Sequence, residues 1–200
     1  MPKRGVFTIG HSNQPLSSFL NLLGRHCCTA VCDVRSQPYS RANPQFNRDS
    51  LSKALKQCGI AYVPLGKELG GRSENPSWYK NSRVQYEYIA RSELFQNGLN
   101  RIKQGMENFQ IVLMCAEKEP LECHRTILVS RHLVEMGISV EHIHIDGTVE
   151  SHTNALDRLL RQLKLEADMF RPREDLITEA YKRQEERIAY AFVTTPARTH

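Results

Sequence analysis

Residues 110–137 read QIVLMCAEKEPLECHRTILVSRHLVEMG, and they hold one complete unit of the fold. The apolar run 110–115 reads as a β-strand. A short polar loop containing Pro120 follows. From there to Gly137 the apolar residues recur with helical period, and Gly137 suits the position just past a helix end. One strand, a loop rich in chemistry-bearing side chains, and one helix therefore succeed one another within 28 residues.

The same unit recurs on either side. Strands are expected at VFTIG (6–10), AVCDVR (30–35), AYVPL (61–65) and SVEHIHI (139–145). Between the first two, Pro15 precedes a pattern with Leu16, Phe19, Leu20 and Leu23 on one face and Gly24 at its end. Leu51, Leu55 and Cys58 share a face before Gly59, a helix or pair of helices is expected over 84–107, and another amphipathic helix over 151–164. Strand and helix in alternation predict a three-layer α/β/α domain with a mostly parallel, Rossmann-like sheet of about five strands. The last strand alternates apolar and polar residues, with His142 and His144 on one face, and is expected at an edge with half-exposed histidines.

The single α/β domain is expected over residues 1–162 and a helical extension over 163–200. After Pro172 a charged helix runs to about Tyr190 with a ragged stripe of Leu176, Ile177, Ala180, Tyr181 and Ile188. That stripe suits either the chain's own core or a second subunit, which would make a homodimer. The tail 193–200 is expected to fray. Two segments, 36–49 and 66–83, are long loops, and loops of that length in a compact domain are commonly functional.

The chain has 200 residues, 40% hydrophobic and 24% charged, the balance of a soluble globular domain. No apolar run is long enough to span a bilayer, and the apolar part near the start is too short for a signal peptide. A cytoplasmic protein without a membrane partner is expected. The six cysteines contain no CxxC pair and read as free thiols. Net charge is +5, but it is uneven. Residues 1–83 carry 12 Lys/Arg against 4 Asp/Glu, net +8; residues 84–150 carry 6 against 10, net −4. A basic N-terminal part favours a phosphate-bearing partner such as a nucleotide or nucleic acid, or else is a solvated basic face.

Open parallel sheets bind ligands beyond the carboxyl ends of their strands, and the candidate residues fall there. His11 and Ser12 follow the first strand, Asp33 and Arg35 the second, Cys115 and Glu117 the fourth. His11, Asp33 and Glu117 are candidates for proton transfer. Ser12, Arg35, Ser40, Arg41, Arg72, His124 and Arg125 are candidates for holding an anion. Residues 123–125 are expected in the first turn of a helix, whose free amides and partial positive charge suit an anion. Cys115 and Cys123 are candidate reactive thiols, Cys123 through the lowered pKa of a helix-start cysteine. Leu121, however, stands where phosphatase and rhodanese loops carry their arginine. Cys-x7-Cys-His is not a usual zinc spacing, so no metal ligands and no cofactor are assigned. Basic residues interleaved with aromatics, Arg41 and Arg48 with Tyr39 and Phe46, and Arg72 and Lys80 with Trp78 and Tyr79, suit a stacked base beside a phosphate.

TIGHSN, VCDVRSQPYSR, GIAYVPLGKELGGR and MCAEKEPLECHR in this order resemble the domain of unknown function 488 family over about residues 5–147. The resemblance implies a compact α/β domain. It marks His11, Asp33, Arg35, Pro38, Ser40, Arg41, Gly66, Gly70, Gly71, Cys115, Glu117, Cys123, His124 and Arg125 as motif positions, and it implies no reaction. The residues themselves point to an enzyme acting on a nucleotide or nucleic acid by hydrolysis or group transfer. A non-catalytic nucleic-acid-binding module and a Cys/His metal or redox protein are the alternatives.

Overall fold

The structure is a computed structural model that describes residues 5–166 and 171–192; the tail 193–200, expected to fray, lies outside them. The five expected strands form: β1 Val6–Gly10, β2 Ala30–Asp33, β3 Ala61–Pro64, β6 Ile111–Cys115 and β7 Val140–Ile143. They run parallel in the order β3-β2-β6-β1-β7. A sixth strand, β8 Val149–Ser151, pairs antiparallel with β7 and takes the edge. β7 is therefore interior, contrary to the reading of its alternating pattern. His142 is fully buried rather than half-exposed, while His144 stays partly exposed beside Glu150, 3.2 Å away.

Alternate strand residues feed two cores. Ile9, Val31, Val112, Met114 and Ile143 face α1 (Leu16–Arg25) and α2 (Arg48–Gln57), which bury Phe19, Leu22, Leu23, Leu51 and Leu55. Each such side chain contributes about 1.5–3 kcal/mol on burial. Val6, Ala30, Cys32, Leu113, Cys115 and Val140 face the opposite layer. That layer holds α5 (Glu93–Gly105), α7 (His152–Gln162), α8 (Arg173–Ile188), and the π-helical segment Arg125–Ser130 running into α6 (Arg131–Glu135). This is the three-layer, mostly parallel arrangement that the alternation predicts.

The C-terminal helix belongs to this core. Leu176, Ala180, Tyr181 and Gln184 of α8 are buried. Gln184 donates from Nε2 to the Leu121 carbonyl (2.8 Å), and Glu185 accepts from the Tyr86 amide (2.7 Å). The stripe is thus taken up within the chain and gives no support to a dimer. Beyond the helix, Tyr190 O accepts from the Val84 amide (3.0 Å) and Phe192 N donates to the Ser82 carbonyl.

The two long loops carry structure of their own. Segment 66–83 contains the short α3 (Gly66–Leu69), a 3-10 turn at Pro76–Trp78, and a hairpin of β4 (Tyr79–Lys80) and β5 (Arg83–Val84). The other loop is pinned by a 3-10 turn at Pro44–Phe46, and Asn47 Oδ1 accepts from the Ser40 amide (2.7 Å). No helix among the described residues is long and apolar enough to cross a membrane.

Candidate functional site

The carboxyl ends of β1, β2 and β6 lie side by side. Gly10 is in register with Cys115 and Asp33 with Met114. The pairing of β1 with β6 continues past both strands, because the His11 and Ser12 amides donate to the Cys115 and Ala116 carbonyls, each at 2.9 Å. The chain after β6 crosses directly over Gly10, where a Cβ would stand 1.9 Å from the Glu117 carbonyl oxygen. Only glycine admits that approach.

Asp33 and Arg35 form a buried pair. The Asp33 carboxylate accepts from Arg35 Nε (2.9 Å), Nη2 (2.6 Å) and amide (3.1 Å), and from the Tyr62 hydroxyl (2.7 Å). Four donors occupy its four lone-pair directions, so the strand-end aspartate is a positioning group rather than a free base. Arg35 also donates from Nη2 to the Phe46 carbonyl (2.8 Å) and from Nη1 to His11 Nε2 (3.0 Å). Of the five N–H donors of a guanidinium, four are committed and one on Nη1 is left at the pocket wall. Burial lowers the pKa of Arg35, but the Asp33 hydrogen bonds and charge outweigh it, and the balance is raised.

His11 is fixed by the same arrangement. Its Nδ1 lies 2.7 Å from the Ser12 carbonyl, which can only accept, so Nδ1 carries the proton and Nε2 accepts from Arg35. Its ring stacks on Phe46 at 4.3 Å. Burial, with Arg35 close by, lowers its pKa to about 4. With both nitrogens engaged, His11 orients Arg35. Ser12 adopts a positive φ of 49° to turn the chain, and Ser40 accepts from the Asn43 amide (3.1 Å) to hold its loop. Arg41 is exposed on that loop.

The second half of the site departs from the expected helix start. Pro120–Glu122 forms a 3-10 turn, and Cys123 is extended (φ −137°, ψ 140°), so the helix begins only after it. At this helix start the Arg125 amide donates to the Cys123 sulfur at 3.4 Å. Arg125 is fully buried, and donates from Nη1 to the Glu117 carbonyl (2.7 Å) and from Nη2 to that of Lys118 (3.3 Å). It staples the loop and places positive charge beside the sulfurs instead of facing a ligand.

Four side chains converge here. Cys115 Sγ and Cys123 Sγ lie 3.8 and 3.9 Å from His124 Nδ1, and Cys123 Sγ lies 3.0 Å from Glu117 Oε2. His124 Nε2 is held by the Val34 carbonyl at 3.0 Å. Gly71 packs on the His124 ring, where a Cβ would stand 2.8 Å away. Burial strongly disfavours charge on either cysteine. It pushes Cys115 up, whereas for Cys123 a hydrogen bond from Cys115 and the charges of Arg125 and His124 outweigh it and bring the thiol down. Burial and the neighbouring Cys123 push Glu117 up. For His124 the Cys123 sulfur overcomes burial, and the balance is raised.

These groups open into one cleft. An inner recess of about 190 Å³ touches Arg35, Arg72, Tyr86, Cys115, Cys123 and His124. It shares Ser36, Gln37, Arg72 and Tyr190 with an outer cleft of about 1030 Å³ walled by Trp78, Tyr79, Tyr190 and Phe192. A third recess, reaching His11, Ser12, Ser40 and Lys118, shares Arg35 and Glu117 with the first. Arg72 lies over the Tyr190 ring at 4.2 Å. Tyr86, Ile188 and Tyr190 were missed by sequence reasoning. Nothing local marks them: Tyr86 opens the short α4 (Tyr86–Arg91), and Ile188 and Tyr190 reach the recess because α8 packs back across the domain.

A family model described as domain of unknown function DUF488 matches residues 15–132, narrower at both ends than the run of motifs. Neither a curated protein nor a solved structure matches the chain.

Proposed function

The chain belongs to the DUF488 family, and from that premise we propose that it is an enzyme acting on a phosphate-bearing substrate, a nucleotide or nucleic acid, by hydrolysis or group transfer. One observation carries this reading. The guanidinium groups of Arg35 and Arg72 open into the same continuous cleft as the Cys115–Glu117–Cys123–His124 cluster. An anion held by the arginines would sit beside a dense group of reactive side chains on that edge of the sheet. Arg35 suits the role because Asp33 and His11 fix its plane before any ligand arrives. The aromatic walls of the outer cleft supply faces on which a base can stack. Of the three residues expected to move protons, Glu117 is the one that keeps solvent access.

The test is a titration of fluorescent single-stranded oligonucleotides and mononucleotides against wild type and Arg72→Ala at several salt concentrations, followed by mass spectrometry of the ligand. Arg72 is exposed, so its loss spares the fold. Salt-sensitive binding weakened about tenfold by Arg72→Ala, with chemical change in the ligand that Glu117→Gln abolishes, is the expected result. Binding without chemical change favours the non-catalytic module. No binding at low salt removes the phosphate-bearing substrate.

A further inference from the structure

We propose that Cys115, Glu117, Cys123 and His124 form a binding site for one thiophilic divalent cation of the zinc type, opening to the cleft on the Glu117 side. One ligand atom from each, two sulfurs, a nitrogen and a carboxylate oxygen, lie within 4.8 Å of one another. Tetrahedral Zn²⁺, with its bonds to sulfur and nitrogen, sets those two ligands about 3.6 Å apart. The sulfurs here stand 3.8 and 3.9 Å from the His124 nitrogen.

Three features of the surroundings suit a bound cation. The Val34 carbonyl accepts the Nε2 proton of His124, which leaves Nδ1 as the ring nitrogen that faces the two sulfurs. A second hydrogen bond of this kind, to a backbone carbonyl, is what fixes the tautomer of a metal-ligating histidine. Next, Cys123 Sγ and Glu117 Oε2 lie 3.0 Å apart. Without metal the thiol proton of Cys123 bridges that gap to the carboxylate; a cation held by both atoms would take the proton's place. Finally, the Arg125 amide points at the Cys123 sulfur, as outer-shell donors to a metal-bound thiolate do. A disulfide between Cys115 and Cys123 would use neither the imidazole lone pair nor the carboxylate.

Two sulfurs and an imidazole select a soft or borderline ion and disfavour Mg²⁺ and Ca²⁺, which take oxygen ligands. Cys115, Cys123 and His124 would hold the ion on the closed side, because both cysteines are buried. Glu117 is exposed and completes the set from the cleft, the place where a catalytic zinc site keeps an exchangeable ligand. The ligand spacing is unusual because the β6 end and the start of the following helix are folded back on each other by the Arg125 staple. The inference does not rest on the substrate proposed above.

The test uses the full chain purified under reducing conditions without chelator from zinc-supplemented cells. The metal-to-chain ratio is measured by plasma mass spectrometry. The metal-free wild type is then titrated with Co²⁺ and followed by absorption. The expected result is about one equivalent of zinc, and with Co²⁺ a thiolate-to-cobalt charge-transfer band together with tetrahedral ligand-field bands. Cys123→Ser should alter the charge-transfer band, and Glu117→Gln, at an exposed position, should weaken Co²⁺ binding about tenfold or more. Absence of both stoichiometric metal and the band in folded wild type overturns the proposal. So does an unchanged spectrum in folded Cys123→Ser, or a Cys115–Cys123 disulfide formed in place of metal uptake. No substrate is present, so failure of phosphate binding and failure of metal binding are read separately.

Discussion

His124 Nε2 lies 3.0 Å from the carbonyl oxygen of Val34. The contact ties the connection after β6 to the end of β2, and it decides which imidazole nitrogen faces Cys115 and Cys123. Gly71 packs against the ring, where a Cβ on it would stand 2.8 Å from His124 Cγ. Gly71→Ala must therefore move His124, which is expected to destabilise the fold by about 1–3 kcal/mol and to weaken Co²⁺ binding more than it lowers stability. Urea unfolding beside a Co²⁺ titration checks this; Co²⁺ affinity equal to wild type would show that the ring does not need this support.

Arg35 and Asp33 are 6% and 1% exposed, and each is the other's main charge partner. Removing one side leaves the other charge buried and alone. Arg35→Ala and Asp33→Asn are each expected to cost about 3–5 kcal/mol. The double variant should cost less than the sum of the two, and a double-mutant cycle in urea measures the difference. Simple additivity would mean that the two side chains do not depend on each other.

Behind the sheet, Thr8 Oγ1, His142, His152 and the Tyr181 hydroxyl form a buried chain of hydrogen bonds at 2.8, 3.1 and 2.7 Å. Burial lowers the pKa of His152 to about 4 and pushes His142 well below its ordinary value. In the unfolded chain a histidine titrates near 6.5, so below that pH the unfolded state binds protons that the folded state refuses. Stability is then full above about pH 6.5 and falls as the pH drops toward 4. The His152 share of the loss approaches about 3 kcal/mol, since one pKa unit corresponds to about 1.4 kcal/mol. Thermal or urea unfolding from pH 8 to 4 measures the slope, and His152→Gln should flatten it. An equally steep slope in that variant would place the acid sensitivity elsewhere.

Gln184 is 3% exposed and donates to the Leu121 carbonyl at 2.8 Å. Gln184→Ala strands that buried acceptor and should destabilise the chain by about 1–3 kcal/mol. Leu121 lies two residues before Cys123, so the same substitution should also loosen the loop that carries Cys123 and His124. Hydrogen exchange on residues 116–125 should rise above the global change. Protection there that matches wild type would show that α8 does not brace the site.

Period and punctuation were enough to read the alternation of strands and helices, with Gly137 ending a helix and Pro15 opening one, because those signals are local. They were enough, too, to place His11, Asp33, Arg35, Cys115 and Glu117 at one edge, since a parallel sheet brings all its strand ends to the same side. The short β8, the hairpin at 79–84 and the interior position of β7 were not legible. Three-residue and two-residue strands carry almost no periodic signal, and the edge of a sheet is defined by what pairs with it.

What each of those edge residues does was decided by tertiary structure. Asp33, His11 and Arg125 look alike in the sequence as candidates for chemistry. In the fold, Asp33 and His11 hold Arg35, and Arg125 is spent on the carbonyls of Glu117 and Lys118. Cys115 and His124 stand nine positions apart and read as the end of a strand and the start of a helix, yet their Sγ and Nδ1 atoms meet at 3.8 Å. Hydrophobic period and turn chemistry act between near neighbours, so the layers and the edge at which the polar groups gather could be read from the residues alone. Which of those groups satisfy one another and which are left to meet a ligand came from the folded arrangement, because a hydrogen bond or ion pair depends on distance in space.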